Sequence, residues 1–416
     1  MYLPEYCEFL SPVQIASGHH VLEKIPGFLK ALNAKRPLIL ADKGVTAAGL
    51  IGIVEDAIKD NVQIGAIDDD VPPDSDLKVV SRLSDVYRKN NCDAIIAVGG
   101  GSVLDTAKGL NILVSEDADN LMEFAGANKL KRPLKPFIAI PTTAGTGSEL
   151  TMAAVIADHD NFIKILFGSR FLLPDIAIID SRMTLTLPAF FTAATAMDAM
   201  THAVESYICL QKNPLSDAHA LSAISLISKN LLNVIRKPDD QEGRLLLAKA
   251  ATLAGMAFSN STVGIVHTLG HSVGGVCGVP HGTCMSIFLP YGLEYNYHLV
   301  NPFIAELLFP LAGPEVYADT PENKRAEKTI EYIRQLNQDL HDATGGRHAR
   351  FLSEILNRDG EQMVKKSHFD AIARISIGDG TKFYNPEEID YDDSMLVLEA
   401  SWDGRPLNRN LVKKNA

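Results

Sequence analysis

Positive charge is scarce in this 416-residue chain: 39 Lys and Arg stand against 51 Asp and Glu, for a net charge of −12. A nucleic-acid partner would need a basic face, and none is visible. The longest charge runs, Asp68 to Asp70 and the pair Lys413-Lys414, read as a solvated loop and a frayed tail. Cysteine is also sparse. Five cysteines, an odd number with no CxxC, exclude a disulfide framework and fit a reducing, cytoplasmic compartment. No apolar run approaches the roughly 18 residues of a membrane span, so none is expected. The start, MYLPEYCEFLSPVQIASGHH, lacks the basic residues and apolar stretch of a signal peptide. Two phosphate-binding spellings are missing as well: the strict G-x-G-x-x-G turn and the Gly-Lys-Ser/Thr loop.

What is present is apolar material in two textures. Hydrophobic residues make up 46% of the chain, enough for a large core, and the length suits two or three domains. Up to about Asp180, short apolar runs alternate with helical patterns. Pro37–Ala41, Val62–Ile67, Asp93–Val98, Phe137–Ile140 and Asp175–Ile179 read as strands of a parallel sheet covered on both faces. Beyond it, long helical patterns take over: Pro188–Leu210, Asp217–Arg236, Gly243–Asn260 and Pro321–Asp342. The expected division is an α/β domain over residues 1–184 and a helical domain over residues 185–416.

Two strand ends carry phosphate-type turns. AVGGGSVLD follows one strand and opens a helix, so backbone N–H groups and a helix N-terminus face one point. A tight strand–helix turn would explain it almost as well. The second turn, Pro141 to Glu149 (PTTAGTGSE), holds four hydroxyls and two glycines at the C-terminal end of its strand, where ligands of open α/β sheets sit. Asp42 ends the first strand. It is placed either to bind an adenosine ribose, which would favour NAD over NADP, or simply to cap a helix.

The helical half concentrates metal-type side chains. Asp198 and His202, in MDAMTHAVESY, are four apart on one face of an apolar helix, where buried polar groups need partners. His267, His271 and His281 follow within GIVHTLGHSVGGVCGVPHGTC. One carboxylate and several imidazoles suit Zn²⁺ or Fe²⁺. Spacing alone would pair His267 with His271, and Cys277 and Cys284 are possible ligands that fit better as small core residues. The same stretch spells Gly-His-Ser-Val-Gly, the nucleophile elbow of a serine hydrolase, centred on Ser272. That elbow needs a helix after the serine, and Gly274, Gly275, Gly278 and Pro280 make a poor one.

Four stretches, GGGSVLD, PTTAGTGSELT, MDAMTHAVESY and AGMAFSNSTVGIVHTLGH…VPHGTCMSIFLP, resemble the iron-containing (group III) metal-dependent alcohol dehydrogenases, in that family's order and spacing. The resemblance implies a Rossmann-like N-terminal dinucleotide-binding domain and an all-α C-terminal domain, a dehydroquinate synthase-like architecture. It also implies an NAD-dependent enzyme that interconverts a small primary alcohol or diol and its aldehyde. The implied ligands of Fe²⁺, or of Zn²⁺ or another divalent ion, are Asp198, His202, His267 and His281. One Asp and three neutral His leave the ion near +1 with an open position. His271 then matches a non-ligand near the nicotinamide that passes a proton to solvent. For the cofactor, Gly100, Gly101 and Ser102 match the pyrophosphate loop, with Asp105 closing the motif. Thr142, Thr143, Thr146 and Ser148 match the second loop, Lys164 a cofactor contact, Leu185 the adenine site and Asp42 the NAD-selecting position. A homodimer or higher homo-oligomer is expected. The alternatives are a glycerol, polyol or sugar-phosphate dehydrogenase, or a lyase, on the same fold and, from another class, a metal-dependent or serine hydrolase. The segment Thr344–Lys366 exceeds the family pattern. It reads as a solvated helical insertion, with Arg347, His348 and Arg350 available to an anionic substrate.

Overall fold

The computed structural model describes residues 4–160 and 163–412. The chain divides into two compact units: Leu10–Leu187, and Pro188–Ala416 together with the residues that precede Leu10.

Six strands of the first unit make one sheet: β1 (Gln14–Gly18), β2 (Pro37–Leu40), β3 (Ala66–Asp68), β4 (Ala94–Gly99), β6 (Phe137–Pro141) and β9 (Ile176–Asp180). Their order is β1-β9-β6-β4-β2-β3, and every neighbouring pair is parallel. β2, β4, β6 and β9 are buried at every residue, as strands covered on both faces must be. Alternate residues sort into two cores. Leu38, Leu40, Ile95, Ala97, Phe137 and Ala139 pack with the helices Leu77–Lys89 and Gly101–Glu116. Ile39, Ile96, Val98, Ile138, Ile140 and Ile178 pack with Ile25–Ala31 and Leu50–Ile58. This is the expected doubly covered sheet. The third strand is shorter and later than the Val62–Ile67 run suggests, because Asn61 and Val62 still close the preceding helix through the Ile58 carbonyl. Among the described residues four strands escape the sequence pattern: β1, and three that form a small second sheet, β5 (Gly126–Ala127), β7 (Ala153–Asp158) and β8 (Ile163–Gly168).

The second unit is helical; among its described residues no strand forms, only an isolated bridge between Leu356 and Gln362. The four expected helices are Ala189–Ile208, Pro214–Arg236, Gln241–Ser259 and Arg325–Ala343. Asn213 and Asp240 cap the second and third by accepting N–H bonds from Ser216 and Gly243. The Pro214–Arg236 helix is long and apolar enough to cross a membrane by length and composition. Its buried stripe, Ala220, Ala223, Ile224, Ile227, Leu231 and Val234, has the spacing of a bundle helix packed on its neighbours. Two further helices, Ile265–Cys277 and His281–Glu306, occupy the glycine-rich region.

Thr344–Lys366 is not a solvated helix. Among these residues only Leu352–Glu354 and the start of a turn at Lys366 are helical, and Ala349, Leu352, Ile355 and Val364 belong to the core. His348 is buried with Nε2 2.8 Å from Ser286 Oγ, and Arg350 pairs with Glu354. Apolar side chains at 349, 352 and 355 pull the segment inward, which engages His348 and Arg350 within the protein, while Arg347 stays exposed over the Phe190 ring. Asp68 to Asp70 is no free run either, since Asp68 pairs with Arg82 and Asp69 with Lys43. Lys413-Lys414 lies outside the described residues.

Candidate metal centre and nucleotide-binding loops

In the first unit the residues matched to the cofactor gather at one edge, because parallel strands place all their C-terminal ends together. Asp42 follows β2, Gly100–Ser102 follow β4, Thr142–Ser148 follow β6 and Leu185 ends the turn after β9. Gly99 pairs with Pro141, so the two glycine-rich turns are neighbours. Their approach is close: a Cβ on Gly100 would stand 3.4 Å from Thr143 Cγ2, and one on Gly101 would stand 3.1 Å from Thr146 Cγ2. Gly101–Glu116 starts with no side-chain cap, leaving its first N–H groups for an anion. Ser102 Oγ accepts from the Asp74 N–H, and Asp74 in turn binds Lys164 at 2.9 Å. Asp42 uses Oδ1 to accept from the Val45 N–H and so caps Lys43–Ala47, one of the two roles open to it. Asp105 binds Ser148 Oγ at 2.8 Å and the Val155 N–H at 2.9 Å, tying the second loop to β7. A residue unmarked by the sequence reading, Lys108, does the same from one helical turn on. Its buried Nζ donates to Ser148 Oγ, Thr151 Oγ1 and the carbonyls of Thr151 and Ala153.

In the second unit, Asp198, His202, His267 and His281 offer one ligand atom each, all within 4.8 Å of one another. Asp198 and His202 come from Ala189–Ile208, buried at every position from Ala196 to Ile208. His267 comes from Ile265–Cys277, and His281 opens the next helix. Asp198 Oδ1 lies 3.3 Å from His281 Nε2 and 3.8 Å from His202 Nε2. The His202 ring is sandwiched, stacked on Phe258 at 4.0 Å and on His267 at 4.7 Å between centroids. The buried His202 Nδ1 and His267 Nε2 find no hydrogen-bond partner. Buried polar atoms rarely stay unpaired, and a divalent cation among these four side chains would satisfy His267 Nε2 and Asp198 Oδ1, which is also without a hydrogen-bond partner. Burial drives His202 down to about 3, against the pull of Asp198, and His267 well below the usual histidine range. Both are therefore neutral, as ligands must be. Burial opposes ionisation of Asp198, but the imidazoles of His202 and His281 hold its carboxyl below the usual carboxylate range. Cys284 is buried in the core and Cys277 lies beside His368; neither joins the cluster.

His271 does not join it either. One turn from His267, its half-exposed ring stacks on His281 at 5.3 Å between centroids. Its Nδ1 lies 2.8 Å from Asp379 Oδ2, and Asp379 Oδ1 accepts from the Thr381 N–H and hydroxyl. Ser272 points the other way. It is buried, donates to the Thr268 carbonyl and sits mid-helix. A nucleophile elbow needs a strand, a strained turn and then a helix, so the hydrolase spelling is a coincidence. Glu205, which the sequence reading passed over, lies one helical turn beyond His202. Its Oε2 is 2.5 Å from His267 Nδ1, and its Oε1 accepts from the Val266 N–H. Burial pushes this carboxyl up to about 7, against the backbone donors of Val266, Gly264 and His267.

The chain is similar throughout its length to known enzymes. Residues 12–181 match the family model for iron-containing alcohol dehydrogenase, and residues 192–402 match the C-terminal model of the Fe-containing alcohol dehydrogenase family. The 1,3-propanediol dehydrogenase of Klebsiella pneumoniae is 33% identical over 395 residues, 92% of this chain and 95% of its own. The NAD-dependent methanol dehydrogenase of Bacillus methanolicus is 36% identical over 288 residues, 69% of this chain and 75% of its own. Among solved structures, a 1,3-propanediol oxidoreductase superimposes with a TM-score of 0.89 at 31% identity, covering 96% of this chain and 100% of that one. An alcohol dehydrogenase from Oenococcus oeni gives 0.88 at 32%, covering 95% and 100%. The chain belongs to the iron-containing alcohol dehydrogenase family and is an alcohol dehydrogenase.

Proposed function

We propose that the chain is an NAD-dependent, divalent-metal-dependent enzyme that interconverts a small primary alcohol or diol with its aldehyde. Asp198, His202, His267 and His281 hold the metal, Fe²⁺ in the cell. The observation that carries this reading is the set of four ligand atoms within 4.8 Å, two of whose rings keep a buried nitrogen without a partner. A cation held there would polarise the substrate hydroxyl, and NAD would supply the hydride acceptor. The chain's own part is to hold and move protons. His271, half exposed and oriented by Asp379, takes the hydroxyl proton and releases it to solvent.

For the cofactor, Gly100, Gly101 and Ser102 cradle the pyrophosphate at the uncapped helix start, with Thr142, Thr143, Thr146 and Ser148 opposite. Asp105 fixes the second loop through Ser148, and Lys164 on β8 and Leu185 would contact the cofactor, Leu185 at its adenine. The choice of NAD rests on Asp42. Relatives differ here: one is named an NAD-dependent methanol dehydrogenase and another, from Clostridium saccharobutylicum, an NADPH-dependent butanol dehydrogenase. The five free cysteines favour a reducing cytoplasmic setting. We add homodimers or higher homo-oligomers to the proposal, for mass measurement in solution to check.

The experiment is elemental analysis of freshly purified protein, followed by NAD⁺ and NADP⁺ reduction over a series of short alcohols, diols and polyols. The proposal expects about one divalent ion per chain, and NAD⁺ reduction with a primary alcohol or diol. Activity confined to glycerol or sugar phosphates would replace it with the polyol reading.

A further inference from the structure

We infer that Glu205 is a positioning residue for the metal centre: by accepting from two donors at once, it fixes which nitrogen of His267 is free to bind the cation. The inference rests on the metal reading proposed above. Glu205 follows Asp198 and His202 on the same helix at the spacing i, i+4, i+7, so one helical face presents all three side chains. Its side chain is buried, and its two oxygens are both engaged. Oε1 accepts from the Val266 N–H at 2.8 Å, and Oε2 lies 2.5 Å from His267 Nδ1. In its ionised form the Glu205 carboxylate can only accept, and its contact with Nδ1 then places the ring proton there. The lone pair is then on Nε2, the buried nitrogen that has no partner within the protein.

The same contact fixes where the ring stands. Ile265–Cys277 begins at Gly264 without a side-chain cap of its own. Glu205 at Val266 and Asn385 Oδ1 at Ile265 take up two of its first N–H groups from outside the helix. A carboxylate near a helix N-terminus is also favourable electrostatically. Position and tautomer of His267 are thus set by one side chain, and hydrogen-bond partners of metal-binding histidines typically carry 10- to 100-fold in affinity.

Glutamine at this position separates shape from charge. It has the same size but offers one acceptor and one donor, where the site presents two donors. If its oxygen stays on Val266, its NH₂ faces Nδ1, and the ring proton must move to Nε2, where it blocks the cation. The test is Co²⁺ titration of metal-free wild type and Glu205→Gln, followed by the visible spectrum of the bound ion. Thermal melting of the metal-free proteins runs alongside. We expect a Kd for Co²⁺ raised about 10- to 100-fold in Glu205→Gln. Glu205→Asp, which keeps two acceptors, should lose less, and it replaces the glutamine variant if that one does not fold. Nitrogen NMR of the metal-free wild type, which needs no variant, should show His267 protonated at Nδ1. An unchanged Co²⁺ affinity in Glu205→Gln, or an Nε2–H tautomer in wild type, would overturn the inference. Failure of the wild type to bind Co²⁺ would instead overturn the metal reading beneath it.

Discussion

At the scale of single residues, the three clustered histidines part company. His267 is buried, neutral and oriented by Glu205, whereas His271 is half exposed and engaged by Asp379. His267→Ala should therefore lose metal and activity together. His271→Ala should keep most of its metal and lose about 10²-fold in rate, the scale of a proton-transfer group. Metal content beside kcat in the two variants distinguishes them, and equal metal loss would contradict the division. Asp42 has two compatible jobs, a helix cap through Oδ1 and, in the proposal, repulsion of a 2′-phosphate. Asp42→Gly should raise kcat/KM with NADP about tenfold, near 1.4 kcal/mol. A wild type that already favours NADP would remove Asp42 from that role. Spacing alone recovers only part of the site, since it pairs His267 with His271 and His281 enters through the family resemblance. Asp198 and His202 share a helical face, and Glu205 was within reach by the same count. Asp379 was not, because it meets His271 across 108 positions of sequence.

Elements explain why some parts of the fold could be read and others could not. β2, β4, β6 and β9 announce themselves as unbroken apolar runs because both faces are buried. β1 (QIASG) is an edge strand with exposed positions, and in β8 buried residues alternate with exposed ones, so neither makes such a run. The helix Ile265–Cys277 defeats local propensity. It passes through Gly270, Gly274 and Gly275, held by buried Ile265, Val266, Leu269 and Val273 and by the outside groups that satisfy its start. Glycine here serves packing between helices. A Cβ on Gly282 would fall 2.3 Å from the Ala194 carbonyl oxygen, on the helix that carries Asp198 and His202. Backbone cannot move aside as a side-chain end can, so Gly282→Ala should push His281 away from Asp198. We expect a loss of about 1–3 kcal/mol in stability, read by denaturant melts, together with weaker metal retention. A variant with wild-type stability and metal content would mean that the two helices yield freely.

For the whole molecule, pH gives a reading that does not depend on the cofactor. His348, in the segment expected to be solvated, is instead fully buried, and burial pushes its imidazole down from 6.5 to about 4. A group depressed in the folded state leaves stability intact above its unfolded value. Protonation of the unfolded chain then erodes stability as pH falls from about 6.5 towards about 4, by up to about 3 kcal/mol. Metal-free wild type should lose more stability across that window than His348→Gln, which keeps a donor for Ser286. Parallel melting curves in the two proteins would show that His348 is not the group responsible. The central claim, however, is that Asp198, His202, His267 and His281 hold a cation on which alcohol oxidation depends. Its most direct test is NAD⁺ reduction with the best substrate of the alcohol and diol series by protein reloaded with Fe²⁺, for wild type, Asp198→Ala and Ser272→Ala, with bound metal counted in each. The account predicts about one ion per chain and full turnover in wild type, and rates within about tenfold for Ser272→Ala. For Asp198→Ala it predicts neither retained metal nor turnover. Alcohol oxidation that survives in metal-free Asp198→Ala would contradict it.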